Sequence, residues 1–233
     1  LNYTGKAVSS LGDLAAEWMT INEPNVYLEG AYSAGNFPPH KPSLKAYFTG
    51  LKHMSTAHIE AYKIIHRIRR DMGFAGKTLV GFAKHVRVFD TEGKGLLSSL
   101  SRTLVDYCFY TITFEAMVNG KFNFPIGHGD YPQGRGIFCD YLGINYYSRD
   151  IIRFTWNAAR AFADFFVKEG AELNDMGGEI YPEGLYILCK KYYEIYKLPV
   201  FITENGICDH SDKKRAQFIY VHLEMVKKLR EAG

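Results

Sequence analysis

Residues 17–24, EWMTINEP, and residues 199–206, PVFITENG, follow one pattern. Each is a short run of apolar, aromatic and β-branched residues that ends in a glutamate beside an asparagine. Runs of this length and composition predict buried β-strands. In parallel α/β folds, functional side chains collect where strands end and loops begin. Glu23 and Glu204 occupy such positions, so the two stretches predict a sheet with two carboxylates at its strand ends.

The rest of the chain alternates between strand-like and helical patterns. Two further strands are predicted, at KTLVGFAKHV (77–86) and CDYLGINYYS (139–148). Helices are predicted over 45–70, from about Leu97 to Asn119, over 182–196, and over 211–232 with Ser211 or Asp212 as the cap. This β-α-β-α-β-α-β-α order with continuous apolar strands predicts a parallel sheet covered by helices on its faces. We interpret 121–181 as a loop insertion and 1–233 as a single domain.

The composition narrows the class of protein. The chain has 233 residues, of which 47% are hydrophobic and 15% aromatic, enough for one α/β domain. Its net charge of +3 comes from mixed acidic and basic residues, so we predict no nucleic-acid partner. No apolar run approaches the roughly 18 residues that span a bilayer, and we predict no membrane partner. The first ten residues lack the apolar segment of a signal peptide. Because the first residue is Leu and not Met, the presence of an upstream segment stays an open question.

Cysteine and histidine spacing argues against a metal site. Cys108, Cys139, Cys189 and Cys208 show no paired spacing, so we predict free thiols in a reducing, cytoplasmic compartment. The stretch HIEAYK at 58–63 contains the H-x-E of zinc deaminases, but no P-C-x-x-C follows it. The glycine-containing loops do not follow phosphate-loop spacing. The sequence therefore predicts no metal and no cofactor.

Two carboxylates at one edge of a sheet fit glycoside hydrolysis. One protonates the leaving oxygen, while the other attacks the anomeric carbon or activates water. Asn22 precedes Glu23, where its amide can hydrogen-bond a sugar hydroxyl, and Asn205 and Gly206 follow Glu204 and permit a sharp exit from the strand. The alternative is that both glutamates are ordinary loop carboxylates or helix N-caps. Two matched strand ends in one chain favour the catalytic interpretation.

Several motifs resemble one known family. WMTINEP (18–24) resembles the T-x-N-E-P signature of glycoside hydrolase family 1, the β-glucosidases, β-galactosidases and their relatives, and VFITENG (200–206) matches its I-T-E-N-G signature. Three further stretches are similar to that family: NVYLEGAYSAGNFPP (25–39), YLGINYYSRD (141–150) and NDMGGEIYPEGLY (174–186). The resemblance runs from about residue 8 to the end of the chain.

The resemblance implies a fold, an activity and a set of site residues. The family folds as a TIM (β/α)8 barrel and hydrolyses β-glycosides with retention, so a carbohydrate substrate is expected. By motif, Glu23 matches the general acid/base and Glu204 matches the nucleophile. Asn22 would hold the sugar 2-hydroxyl, where contacts strengthen in the transition state. Tyr147 would hydrogen-bond the nucleophile, and Asn145 would lie beside it in the site.

The resemblance is also partial, since it covers only strands four to seven of the family's eight. The sugar-gripping residues of the family's first three strands and of its eighth strand have no counterpart here. Two interpretations stay open: a piece of a longer enzyme, or a non-catalytic half-barrel that binds sugar weakly or not at all. With open sheet edges, the chain is expected to associate with its own copies or with a complementing barrel segment. The residues of this chain do not distinguish glucosidase, galactosidase and 6-phosphoglycosidase specificity.

Overall fold

The computed structural model of the chain describes residues 1–93 and 95–232. The elements in chain order are α1 (Asn2–Leu11), β1 (Glu17–Asn22), α2 (Pro24–Leu28), a π-helical turn (Glu29–Ser33), α3 (Leu44–Asp71), β2 (Leu79–Thr91), α4 (Leu96–Asp106), a second π-helical turn (Tyr107–Thr111), α5 (Ile112–Asn119), β3 (Tyr141–Phe154), a 3-10 turn (Ala158–Arg160), β4 (Ala163–Phe166), α6 (Glu183–Tyr196), β5 (Val200–Asn205) and α7 (Arg215–Glu231). The four predicted strands are confirmed as β1, β2, β3 and β5. Among the described helices, none is both long and apolar enough to cross a membrane.

The chain divides into two compact units. The first contains Leu1–Lys84 and Phe109–Gly143, and the second contains His85–Cys108 and Ile144–Gly233. Strands β2 and β3 each have residues in both units, because the division falls between Lys84 and His85 and between Gly143 and Ile144. The sheet order is β1-β2-β3-β4, and β5 also pairs with β3. The assignment of 1–233 as a single domain stays a prediction.

In the first unit, β1 and β2 pair in parallel, as the sequence predicts. The register places Glu17 opposite Leu79 and Asn22 opposite Ala83, with an irregularity between Met19 and Asn22. Helices α1 and α3 contact each other and cover this pair. The buried cluster beneath them comprises Val8, Ile65 and Val80. Burial of apolar side chains such as these is the dominant favourable term in folding.

Glycines let β2 and β3 lie close together within the first unit. A Cβ on Gly81 would lie 2.6 Å from the carbonyl oxygen of Tyr141, and a Cβ on Gly143 would lie 2.7 Å from that of Phe82. Real Cβ atoms do not approach a backbone oxygen this closely, so each strand needs glycine where the other passes. The Gly in each of the stretches LVG and YLG is therefore explained by strand contact and needs no ligand.

His58 on α3 has a structural role. Its side chain is fully buried. Its Nε2 donates to the carbonyl of Phe138 at 2.9 Å, and its Nδ1 lies 2.6 Å from the hydroxyl of Thr20. Burial lowers the pKa of His58 to about 4, because the low-polarity surroundings disfavour the imidazolium. This neutral histidine joins α3 to β1 and to the segment before β3.

The second unit contains an antiparallel hairpin that sequence reasoning missed. Strand β4 pairs with the end of β3, with Ile151 opposite Phe166 and Phe154 opposite Ala163. The hairpin buries the cluster Val105, Ile152 and Ala163. The prediction of a sheet that is parallel throughout is wrong at this hairpin. The interpretation of 121–181 as a loop insertion is also wrong, because this stretch contains β4, which pairs with β3. The sequence did not reveal β4, because a strand of four residues depends on its tertiary partner.

Helix α7 begins later than the sequence predicts. Its first residue is Arg215, not a residue next to Ser211 or Asp212. The carboxylate of Asp209 accepts hydrogen bonds from the backbone N–H groups of Lys214, at 2.7 Å, and Arg215, at 3.2 Å. Asp209 therefore satisfies the N–H groups that a helix start leaves without partners. The predicted cap is wrong because residues 211–214 are not helical and precede the helix as a turn and a bend.

Candidate active site

Glu23 follows the last residue of β1 and precedes the first residue of α2. Its backbone is left-handed, with φ 46° and ψ 56°. This region costs a non-glycine residue about 1–2 kcal/mol and is found at functional sites more often than elsewhere. The N–H of Glu23 donates to the carbonyl of Ala83 at 2.9 Å, and Pro24 starts the helix with a fixed φ. Glu23 is therefore held half-buried at a tight strand-to-helix turn, with the exposed Asn22 before it.

A buried lysine in the same unit was missed by sequence reasoning. Lys84 is fully buried on β2, and its Nζ lies 4.9 Å from the ring centroid of Phe109 and 5.5 Å from that of Tyr110. Within the described residues, this Nζ has no hydrogen-bond partner. Burial lowers the pKa of Lys84 well below its usual value, although the charges of Glu29 and Glu23 oppose the change. The only signal in the sequence is a lysine inside the apolar run VGFAKHV.

Glu204 lies near the end of β5, and tertiary contacts hold it. Its Oε2 accepts a hydrogen bond from the phenol of Tyr147 at 2.5 Å. A hydrogen bond this short between a hydroxyl and a carboxylate is of the strong, charge-assisted kind. Tyr147 lies on β3, so this bond joins two neighbouring strands. The structure thus brings two of the residues singled out by the sequence into direct contact.

The two neighbours of Glu204 also bind β5 to β3. The hydroxyl of Thr203 donates to Oδ1 of Asn145 at 2.5 Å, and Nδ2 of Asn205 donates to the carbonyl of Tyr146 at 2.9 Å. Asn145 is fully buried. Its amide is oriented by Thr203, because a hydroxyl donor requires the oxygen side of the amide. Three consecutive residues of β5 are therefore held by side-chain hydrogen bonds to β3.

A second polar group beside Tyr147 was not predicted. The imidazole of His85 stacks on the Tyr147 ring, with centroids 5.7 Å apart and planes at 25°. Nε of Arg87 donates to Nε2 of His85 at 2.8 Å, and Nη1 of Arg87 donates to Asp150 at 3.0 Å. The available signal was a His and an Arg at alternate positions near the end of the apolar run KTLVGFAKHV, which sequence reasoning passed over.

The predicted site residues divide between the two units. Asn22 and Glu23 belong to the first unit, and Asn145, Tyr147 and Glu204 belong to the second. Their catalytic and binding roles stay predictions. Residues 1–93 and 95–232 contain no group of three or more His, Cys, Asp or Glu side chains that could hold a metal ion.

Comparison with known proteins places the chain in a family. The model of the family described as glycosyl hydrolase family 1 matches residues 1–133 and 136–233. A β-galactosidase of Pyrococcus woesei is 28% identical over 257 residues, which cover 99% of this chain and 50% of that protein. A chloroplastic galactolipid galactosyltransferase of Arabidopsis thaliana is 28% identical over 237 residues, which cover 96% of this chain and 33% of that protein.

The fold agrees with this match. The solved structure of a β-glycosidase from Pyrococcus horikoshii superimposes with a TM-score of 0.86 at 28% identity, covering 100% of this chain and 53% of the other. The family 1 glycosidases are TIM barrels, so the predicted fold class is confirmed, and the chain corresponds to about half of such a barrel. The chain likewise spans about half the length of the Pyrococcus β-galactosidase. By sequence and by fold, this chain belongs to glycosyl hydrolase family 1.

Proposed function

We propose that this chain carries the two catalytic carboxylates of a retaining β-glycosidase. The hydrogen bond from Tyr147 to Glu204 is the observation that supports the proposal most directly. A nucleophilic carboxylate must be held at a fixed position to attack the anomeric carbon, and a short phenol donor does this. The left-handed turn at Glu23 supports a second functional carboxylate at the end of β1.

The reaction we propose has two displacements. Glu204 attacks the anomeric carbon, while Glu23 gives its proton to the departing glycosidic oxygen, which leaves a covalent glycosyl-enzyme. Glu23 then takes a proton from water as that water attacks the same carbon, and the Glu204 carboxylate is released. Asn22, Asn145 and Tyr147 are proposed to bind the sugar. For this sequence of steps, the two carboxyl groups must lie about 5–5.5 Å apart in the working enzyme.

We further propose that turnover needs the remaining barrel strands. The two Pyrococcus relatives that the chain matches are about twice its length. Correct positioning of a substrate supplies about 7–11 kcal/mol of the barrier reduction in an enzyme. A chain with both carboxylates but only part of the sugar-binding surface should therefore have little activity. The substrate class is a terminal β-linked sugar, in gluco, galacto or 6-phospho form.

The test compares this chain alone with the same chain joined to, or mixed with, the missing half of a family 1 barrel. The substrates are nitrophenyl β-glucoside, β-galactoside and 6-phospho-β-glucoside. We expect activity with net retention in the completed protein only, and none when Glu204→Gln replaces the nucleophile. Because one relative is named a galactosyltransferase, the products are also analysed with a sugar acceptor present. An inverted product, or a Glu204→Gln variant as active as the parent, contradicts the proposal.

A second candidate function is a non-catalytic half-barrel that self-associates. The observation that favours it is an apolar surface on α7, where the side chains of Ile219, Tyr220 and Leu223 are 48%, 60% and 60% exposed. Three large apolar side chains exposed on one face of a helix are typical of an interaction surface. Light scattering of the 233-residue chain discriminates the two functions when it is run beside the activity assay. A stable oligomer that stays inactive after barrel completion supports this second candidate.

We also propose a reducing, cytoplasmic location. Its support is that Cys108, Cys139, Cys189 and Cys208 are all free thiols in the structure. Cys139 and Cys189 are buried, and burial raises the pKa of Cys189 to about 12, which keeps this thiol protonated and unreactive. Fractionation of cells that express the protein, together with thiol counting on the purified chain, tests this location. Recovery with a disulfide in an oxidising compartment contradicts it.

A further inference from the structure

His85 and Arg87 on β2 are polar side chains that the proposed reaction does not use. They lie two residues apart in a strand, so both side chains leave the strand on the same face. His85 is 7% exposed, and the side chain of Arg87 is 39% exposed. Both residues belong to the second unit, as do Tyr147 and Glu204.

The contact between Arg87 and His85 determines where the imidazole carries its proton. A guanidinium has only donors and stays charged in proteins. Nε2 of His85 accepts from Nε of Arg87 at 2.8 Å, so this nitrogen carries no hydrogen. The proton of the neutral ring is therefore on Nδ1. Asp150, whose Oδ2 accepts from Nη1 of Arg87 at 3.0 Å, holds the guanidinium in the plane that this geometry needs.

The imidazole in turn contacts the residue that touches the nucleophile. Its ring lies nearly parallel to the Tyr147 ring, with centroids 5.7 Å apart and planes at 25°. A ring packed on the face of Tyr147 limits rotation about χ1, which would carry the phenol away from Glu204. The structure therefore contains a continuous series of contacts from Asp150 through Arg87, His85 and Tyr147 to Glu204.

We infer that His85, fixed by Arg87 and Asp150, is a positioning residue that holds the phenol of Tyr147 against the nucleophile Glu204. The catalytic part of this inference rests on the proposed function, whereas the positioning of Tyr147 does not. The alternative is an ion pair that only stabilises the sheet. A sheet-stabilising pair would change the free energy of unfolding and leave the Tyr147–Glu204 contact unchanged.

The first experiment measures that contact by NMR in the 233-residue chain. Nuclear Overhauser effects between the ring protons of Tyr147 and the side chain of Glu204 report the distance, and long-range 15N spectra report the tautomer of His85. We expect the Nδ1–H tautomer and a strong Tyr147–Glu204 signal in the parent. His85→Phe keeps a flat ring but cannot accept from Arg87, so its signal should lie between those of the parent and of His85→Ala. His85→Ala and Arg87→Met should weaken the Tyr147–Glu204 signal.

The second experiment measures nucleophile labelling by 2,4-dinitrophenyl 2-deoxy-2-fluoro-β-glucoside in the same variants of the completed protein, in which this chain is joined to the remaining half of a family 1 barrel. The mass of the Glu204 peptide is the readout. We expect His85→Ala and Arg87→Met to label about tenfold more slowly, the size of one weakened hydrogen bond. His85→Phe should label at a rate between those of the parent and of His85→Ala, because its ring replaces the stacked imidazole but offers no acceptor to Arg87. Arg153→Met is the matched control, since Arg153 pairs with Glu92 and stacks on Phe166 in the same unit.

The outcomes separate this inference from the proposed function. A completed parent protein that is not labelled at Glu204 counts against the proposed function, and the NMR signals still decide the positioning role. An unchanged Tyr147–Glu204 signal in Arg87→Met and His85→Ala overturns the inference, as does an equal loss in Arg153→Met. Should His85→Ala fail to fold, Arg87→Met and His85→Phe carry the test. A doubly protonated or Nε2–H imidazole in the parent also overturns it.

Discussion

Glu23 and Glu204 both stand at strand ends beside an asparagine, but different forces hold them. At the end of β1, the backbone determines the position of Glu23 through a left-handed φ of 46° and the proline that follows. The N–H of Glu23 also donates a hydrogen bond to the carbonyl of Ala83. Near the end of β5, side chains determine the position of Glu204, since its carboxylate and both its neighbours are hydrogen-bonded to β3.

This difference fits the two roles that we propose. A nucleophile must meet one carbon atom from one direction, so a carboxylate oxygen held by a direct hydrogen bond is an advantage. An acid/base group gives a proton to the glycosidic oxygen in the first step and takes one from water in the second. A carboxylate positioned by a turn in the backbone is compatible with both transfers. The predictions below test whether the two strand ends differ in this way.

The largest expected effect comes from removing each carboxylate in the completed enzyme. Glu204→Ala should abolish turnover on every glycoside, by a factor on the order of 10⁴ or more, because no covalent intermediate can form. Glu23→Ala should spare the first displacement for substrates with good leaving groups, and azide should then restore turnover by attacking without a base. Steady-state rates with and without azide measure both effects. Equal azide rescue of the two variants, with retention, would show that the roles are assigned wrongly.

The next largest effect concerns His58, which lies against β1 through Thr20. Below pH 6.5 the unfolded chain protonates this histidine, while the folded chain keeps it neutral down to about pH 4. Its contribution to stability is therefore complete above pH 6.5 and is lost as the pH falls toward 4. Between pH 7.5 and 4.5 this loss amounts to about 2–3 kcal/mol. Urea unfolding at the two pH values measures it.

The matched controls for this pH effect are two glutamine substitutions on α3. His58→Gln should remove that part of the pH dependence, because glutamine does not titrate. His53→Gln should preserve it, since His53 is exposed on the same helix. An identical pH dependence in both variants would contradict the assignment to His58.

Tyr147→Phe tests the side-chain control of Glu204. The substitution removes the phenol donor and keeps the ring. A hydrogen bond to a charged group is worth about 1.5–3 kcal/mol, so we expect the completed enzyme to lose about 10- to 150-fold in kcat/KM. Tyr193→Phe is the control, because that tyrosine is exposed on α6. A Tyr147→Phe enzyme within twofold of the parent would contradict the comparison between the two strand ends.

Lys84→Met gives the smallest expected effect and concerns the first unit. The buried ammonium has no hydrogen-bond partner among the described residues, and its pKa is lowered by burial. The unfolded chain therefore binds the proton more strongly, and folding at neutral pH is penalised. We expect Lys84→Met to raise the free energy of unfolding by about 1–3 kcal/mol, measured by urea denaturation at pH 7. Lys52→Met on the exposed face of α3 is the control. A destabilised Lys84→Met would show that the lysine is needed for the fold.

Several elements could be predicted from local sequence because their signals are local. Strand β1 was predicted over Glu17–Asn22 as observed, and α3 and α6 within one residue at each end. Strand β4 and the true cap of α7 were missed. A four-residue strand is stable only through its partner, and Asp209 caps a helix that starts six residues later along the chain. Neither signal is contained in a short window of sequence.

For the candidate site, the sequence determined which residue types are present, and the tertiary structure determined what they contact. Glu23 and Glu204 could be singled out because an apolar strand that ends in a carboxylate is recognisable along the chain. The hydrogen bond of Tyr147 to Glu204 joins residues 57 positions apart (204 − 147), and the stacking of His85 on Tyr147 joins residues 62 positions apart (147 − 85). The contact of Lys84 with the Phe109 ring spans 25 positions (109 − 84). Strand pairing and helix packing create those contacts, so only the folded chain reveals them.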